Sequence, residues 1–302
     1  MNLKQGYGFV LKSIKKDKTL KPMVEHLKNK TYVISGGTRG IGLEIGKTLS
    51  RLGANVAILG RTTKPHPKLE GTLESARKQI QAENTEKEHS VLSYKCDVRD
   101  YNEVEQAIQG VAERFGQING VLLNASALCL APTLKQTKKE VDLMTGVNIN
   151  GSFFVGQACL KHMPENVPAH MLVIAPPLTM LDEPQWWTPH FYYSMSKFNM
   201  TLMARNWSQE FPNVGVNTLW PRTTIDTAPV RNLLGGAPMV DISRKVDIMG
   251  EAAKHIFLSD PTVCTGKHFI DDEVCVSRDV EVEQFRVNPH VNEKDLMPDF
   301  FC

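Results

Sequence analysis

Ser35-Gly36-Gly37-Thr38-Arg39-Gly40-Ile41-Gly42 directly follows the apolar run Thr31 to Ile34 and opens a segment with apolar residues at Ile41, Ile45, Leu49 and Leu52. That order reads as strand, glycine-rich turn, helix. A glycine lets the chain leave the strand sharply, and others remove side chains where backbone must approach closely. The unpaired N–H groups and dipole at such a helix start favour a phosphate. Many tight turns carry glycine for backbone reasons alone, so the stretch acquires meaning only from its context.

The context extends the pattern along the chain. Strands are expected at 31–35, 55–60, 91–96, 119–123, 170–175, 213–219 and 267–271. Helices are expected near 39–52, 70–84, 101–116, 136–163, 191–211 and 244–258. Most strands are continuous apolar runs, as in Val56-Ala57-Ile58-Leu59 and Gly120-Val121-Leu122-Leu123. Such runs belong to a parallel sheet covered on both faces. Strand–helix alternation predicts a doubly wound α/β fold of about seven strands. The 302 residues suit one such domain, at 29–302, behind an extension at 1–28. The Pro/Gly-rich stretch 221–238 reads as a long connection late in the fold, where loops commonly cover a ligand.

Composition excludes several functions. The 35 basic and 33 acidic residues leave a net charge of +2, against a nucleic-acid partner. No apolar run reaches the ~20 residues of a membrane span. The cysteines, Cys96, Cys129, Cys159, Cys264, Cys275 and Cys302, form no C-x-x-C pair and no metal-ligand spacing. They read as reduced thiols in an intracellular setting, with no metal site. The first thirty residues hold eight lysines against Asp17 and Glu25. A solvated extension or strap and a mitochondrial targeting segment both fit; the lysines tilt an otherwise open compartment toward the mitochondrion, although the arginines of such a segment are missing.

A second signal is Tyr193-Ser194-Met195-Ser196-Lys197. On a helix Tyr193 and Lys197 share a face. A lysine ammonium beside a phenol is expected to stabilise the phenolate and tune it for proton transfer. With the glycine turn, Asn124-Ala125-Ser126 after the fourth strand and Asn148 in a long helix, this pair resembles the short-chain dehydrogenase/reductase family, a Rossmann-type fold. Within it the chain is similar to the hydroxysteroid dehydrogenase-like protein 2 subgroup, through Lys64-Pro65-His66-Pro67-Lys68-Leu69, Pro176-Pro177-Leu178, Trp220-Pro221 and the ending Pro298-Asp299-Phe300-Phe301. The larger members of that subgroup add a C-terminal lipid-transfer domain.

The resemblance implies roles. Tyr193 is the expected acid/base, Lys197 its electrostatic partner and a ribose ligand, and Asn148 the holder of a proton-relay water. The implied cofactor residues are Gly36, Gly37, Thr38, Arg39, Gly40, Ile41 and Gly42, then Arg61, Asp97 at the adenine edge, Val98, Asn124 on the ribose side, Ala125, Ser126, Lys197 and Pro221. Charge argues for NADP(H). No acid lies between Glu44 and Glu70 to bind a free 2′-hydroxyl, whereas Arg39, Arg61 and Lys64 suit a 2′-phosphate. Two departures stand out. Ala175 occupies the position expected to carry a carbonyl-holding serine, with Thr179 as a substitute, and Arg222 replaces a glycine. Two functions are therefore compatible: a reductase or dehydrogenase acting on a carbonyl or alcohol, with Trp186, Trp187 and Met239 around an apolar pocket, or a cofactor-binding subunit without turnover. The family also implies a homo-oligomer or membership of a larger assembly, through helices near 136–163 and 191–211.

Overall fold

The computed structural model describes residues 16–24, 26–66, 69–84, 90–180 and 190–300. Seven parallel strands form one sheet in the order β3-β2-β1-β4-β5-β6-β7. They are β1 (Thr31–Ser35), β2 (Asn55–Gly60), β3 (Val91–Lys95), β4 (Gly120–Leu123), β5 (Ala169–Ile174), β6 (Val214–Trp220) and β7 (His268–Ile270). Strands β1, β4, β5 and β6 are buried along their whole length, as their unbroken apolar runs require. The edge strand β3 is the most open, with Leu92, Ser93 and Tyr94 half-buried and Lys95 exposed.

Helices cover both faces. On one side pack α1 (Gly40–Arg51), α2 (Leu73–Ala82) and α9 (Asp247–Leu258), burying Ile45, Leu49, Ile80 and Ile256 against Ile34, Ile58, Leu122 and Leu172. On the other lie α3 (Tyr101–Phe115), α5 (Ser152–Leu160) and α6 (Phe191–Glu210), whose Ile108, Val155 and Met200 meet Val33, Val121 and Val173. The alternation of Ile34 and Leu122 with Val33 and Val121 between the faces is the period-two geometry of strands. Helix starts are set locally. Asp100 accepts from the N–H groups of Asn102 and Glu103, and Thr72 forms a capping box with Ser75.

Three features depart from the expected layout. The single helix near 136–163 is α4 (Lys138–Met144), a π-helical turn (Thr145–Gly151) and α5. The 221–238 connection contains α7 (Ala228–Asn232), and α8 (Ala237–Asp241) follows it closely. An additional helix, α10 (Asp271–Ser277), begins where β7 ends. Residues 16–24 lie against the domain: Leu20 is buried, and the N–H of Met23 donates to Leu258 O at 2.7 Å. Arg244 is fully buried and ion-pairs with Asp272 at 3.2 Å and Glu293 at 2.5 Å, joining α10 to the C-terminal segment. Strand order reverses between β1 and β4, so the connections leaving these strands diverge and open a crevice at the sheet's C-terminal edge.

Candidate active site

The crevice is a cleft of about 550 Å³. The turn after β1 forms one wall. Gly36 and Gly40 adopt φ of +69° and +53°, which glycine reaches without penalty. A Cβ on Gly42 would lie 2.5 Å from both Gly36 O and Asn124 Nδ2. That close approach lets Asn124 donate to the carbonyls of Ser35 and Gly36 at 3.2 and 3.0 Å. Ser35 Oγ in turn accepts from the N–H groups of Asn124 and Ala125 at 3.0 and 3.1 Å. The N-cap residue Arg39 makes no capping hydrogen bond at the start of α1, and Gly40 faces open space beyond the Thr227 methyl, 3.4 Å from where its Cβ would be.

Gly36, Thr38, Arg39, Gly40, Ile41, Arg61, Asp97, Val98, Asn124, Ala125, Ser126, Lys197 and Pro221 all line this cleft. Gly37 and Gly42 lie behind it. Gly37 is pressed against Ile58, with 2.6 Å to the place of a Cβ, and Gly42 supports the Asn124 clamp. At the outer end Arg39 spans to the next loop, donating to Glu70 O at 2.7 Å, Gly71 O at 2.9 Å and Thr62 Oγ1 at 3.2 Å. The exposed Arg61 approaches Asp97 at 3.5 Å. Hydrogen bonds from Arg99, the shortest 2.5 Å, hold the Asp97 carboxyl down at about 2. Asp97 is thus ionised and largely neutralised by two arginines.

At the inner end α6 carries Tyr193 and Lys197, both buried and both lining the cleft. Lys197 Nζ donates to Ile174 O at 2.5 Å and sits 5.3 Å from the centre of the Trp220 ring. Burial pushes its amine down to about 7. The expected phenolate stabilisation does not occur in this arrangement. Burial first, and the nearby Asp299 second, hold the Tyr193 phenol well above its ordinary value. The side chain is therefore a neutral phenol across the physiological range.

Asn148 is brought near but does not line the cleft. From the π-helical turn its amide oxygen accepts from the Ala127 N–H at 2.7 Å, and its nitrogen donates to Ala127 O at 3.0 Å and Ser196 Oγ at 2.9 Å. Ser196 Oγ donates to Tyr193 O at 2.8 Å. Asn148 thus ties the loop after β4 to the turn of α6 that bears Tyr193, and π-helical turns recur at such places.

The role expected for Ala175 does not survive the geometry of β5. Ile174 faces the cleft; Ala175, the next residue, points to the opposite side and is fully buried in the cluster containing Val173 and Met200. Residues 174–177 read Ile-Ala-Pro-Pro and provide no side-chain donor. Thr179 is exposed and outside the cleft lining. Met239 also lies outside that lining, packed beneath Gly235, and Trp186 and Trp187 fall outside the described residues. Arg222 turns toward Asp272, at 2.9 Å, and Glu273.

The sequence reading missed the C-terminal contribution. Asp299 and Phe300 line the inner cleft, with Val230 and Leu234 from the α7 region opposite. The Phe300 ring lies 4.4 Å from His190 and 6.4 Å from Tyr193. The ending Pro298-Asp299-Phe300 was visible as part of a resemblance, but no local pattern says that it folds back onto the sheet edge.

The sequence pattern of the short chain dehydrogenase family matches residues 30–233. Hydroxysteroid dehydrogenase-like protein 2 of Rattus norvegicus is 36% identical over 272 residues, covering 90% of this chain and 50% of the rat protein. The Homo sapiens protein of the same name is 35% identical, covering 93% and 65%. The chain thus spans about half to two thirds of the length of these relatives. A short chain dehydrogenase from Mycobacterium thermoresistibile superposes with a TM-score of 0.82 at 36% identity, covering 91% of this chain and 95% of that one. The matched pattern begins just before the glycine turn and runs past Tyr193 and Lys197, and this chain belongs to the short-chain dehydrogenase/reductase family.

Proposed function

We propose that this chain is an NADP(H)-dependent oxidoreductase that interconverts a carbonyl and an alcohol on a small, largely apolar molecule. One observation carries the reading. A single cleft joins an uncapped helix start and two arginines at its outer end to the buried Tyr193–Lys197 pair at its inner end. The donor set fits the cofactor. The open face above Gly40 leaves room for a pyrophosphate at the start of α1, and Arg39, Arg61 and Thr62 surround a position suited to a 2′-phosphate. Lys197 and the loop at Asn124 would hold the nicotinamide ribose. When bound, NADPH supplies the hydride consumed in reduction.

Tyr193 then donates its proton to the substrate oxygen as charge builds there, and its neutral state suits that direction. The fixed Lys197 orients the phenol's surroundings through its tie to Ile174, and Asn148 fixes the loop and helix on either side. Ile174, Leu128, Val230, Leu234 and Phe300 give the inner cleft an apolar wall that excludes water from the reacting carbonyl. A panel of ketones and aldehydes, assayed with NADPH and with NADH for turnover and for cofactor affinity, tests the reading.

A second reading, a subunit that binds cofactor without turnover, is favoured by the absence of a side-chain donor on residues 174–177. A bound cofactor would then serve stability rather than chemistry. In either case we infer self-association through α5 and α6, where Phe153 and Leu202 remain 39% and 54% exposed.

A further inference from the structure

Reducing a carbonyl places negative charge on its oxygen, and a second hydrogen-bond donor beside the proton donor normally shares that charge. Residues at the end of β5 supply none. The inner cleft nevertheless has another polar group, delivered by the C-terminal segment. That segment is pinned along its length. Met297 N–H donates to Ile242 O, Thr224 N–H to Met297 O, and Asp299 N–H to Arg222 O, each at 2.9 Å, and Thr223 pairs with Pro298. Trp220 Nε1 then donates to Phe300 O at 2.6 Å. These ties fix residues 297–300 against the chain leaving β6, beside the end of β5 and the first turns of α6.

Asp299 is half-buried and lines the cleft together with Tyr193 and Lys197. The Phe300 N–H hydrogen-bonds its carboxyl, which steadies the group without filling all its lone pairs. Four titratable neighbours bear on it. Lys197 and Tyr193 face it from α6, Asp271 from the start of α10, and Arg222 lies beside it with its guanidinium turned to Asp272 and Glu273.

We propose that Asp299 is the carbonyl-holding donor of this cleft, its protonated carboxyl donating a hydrogen bond to the substrate oxygen while Tyr193 transfers the proton. The inference rests on the reading of the cleft as a reductase site. In the reduction, the carbonyl carbon gains the hydride, its oxygen gains the Tyr193 proton, and Asp299 keeps its own proton throughout. The packed chain around the carboxyl pushes it up to about 8, chiefly by excluding water, with Asp271 adding to the rise and Lys197 opposing it. A carboxylic acid held neutral in an apolar site is an established way to present an O–H donor at neutral pH.

The test compares wild type with D299N, D299A and Y193F. Infrared difference spectra of wild type minus D299N should show the carbonyl stretch of a protonated acid at pH 7, fading as pH rises through about 8. Reduction of a panel of aromatic aldehydes and ketones by NADPH should fall about 10²–10³-fold in kcat/KM for D299A. D299N retains an N–H donor and should fall by less than about tenfold, while losing the decline that wild type shows above pH 8. Thermal melts accompany each variant; where D299A does not fold, loss of the alkaline limb in D299N decides. Absence of the acid band at pH 7 overturns the inference. So does a D299A activity within about threefold of wild type while Y193F is inactive, and in that case the reductase reading stands. A wild type that binds NADPH but reduces nothing overturns that reading and this inference with it.

Discussion

Gly40 and Gly42 share one turn but should fail for different reasons when replaced by alanine. In Gly42→Ala the new methyl would meet Gly36 O and Asn124 Nδ2 at 2.5 Å, and Gly36 C at 3.1 Å. Backbone on one side and a clamped amide on the other leave no soft neighbour to yield. Overpacking of this kind costs about 2 kcal/mol. Displacing Asn124 also forfeits its hydrogen bonds to Ser35 O and Gly36 O, about 1 kcal/mol each. Alanine returns about 1 kcal/mol of helix propensity, leaving a net loss of about 3 kcal/mol. Gly40→Ala meets nothing nearer than the Thr227 methyl at 3.4 Å, but it must hold φ at +53°, at about 1–2 kcal/mol. Its methyl points to where the pyrophosphate would lie. Urea unfolding should therefore rank Gly42→Ala as the less stable variant. NADPH titration should show a loss of affinity in Gly40→Ala that exceeds its loss of stability. Equal midpoints for wild type and Gly42→Ala, or a reversed ranking, would refute the packing argument.

The cation at the end of β2 should set cofactor choice. Arg61 is 58% exposed, so its contact with a 2′-phosphate is discounted for screening to about 1 kcal/mol, and an acid in its place adds a repulsion of similar size; Arg61→Asp should thus shift the NADPH-to-NADH affinity ratio about 30-fold, and an unchanged ratio by nicotinamide fluorescence would reject the assignment. Stability should follow pH through Asp299 and Lys197 at the inner cleft. Asp299 is raised from its ordinary 3.8 to about 8, so its contribution is full below pH 3.8 and is lost as pH rises through 8. Lys197 is lowered from 10.5 to about 7, so its contribution is full above pH 10.5 and is lost as pH falls through 7. Between pH 4 and 8, D299N should accordingly gain on wild type, by a few kcal/mol at the upper end, in urea unfolding at stepped pH; parallel profiles would count against an Asp299 that titrates near 8. Sedimentation at micromolar concentration should find an oligomer that Leu202→Glu dissociates, and a wild-type monomer would argue against the α5–α6 surface.

The fold was legible because each central strand is an unbroken apolar run and each packing helix a separate periodic segment, so β1, β2, β4 and α1 fell within a residue or so of their expected bounds. The outer cleft's lining was legible for a related reason: Gly36, Arg39 and Gly40 lie within a few residues of one strand end. What was not legible depended on long-range return of the chain. The π-helical turn had only Gly146 and Gly151 to announce it, and their reason is tertiary, since a Cβ on Gly151 would lie 2.6 Å from Val98. Ala175 was misjudged because sequence order alone does not say which way the residue just past the end of β5 faces. Asp299 lies about a hundred residues from Tyr193 in sequence, and only the antiparallel pairing of 297–299 with 222–224 brings them to one cavity.

The account stands most directly on whether Tyr193 gives the proton in a reaction that consumes NADPH. Wild type and Tyr193→Phe, each saturated with NADPH, are mixed with a panel of apolar ketones and aldehydes, and nicotinamide absorbance is followed alongside product alcohol. The account predicts that wild type yields one alcohol per NADPH consumed. It also predicts that Tyr193→Phe binds NADPH as tightly but reacts slower by about 10²–10⁴-fold, the range expected when a positioned proton donor is removed. NADPH consumption that is as fast in Tyr193→Phe as in wild type, or absent from both across the panel, would contradict it.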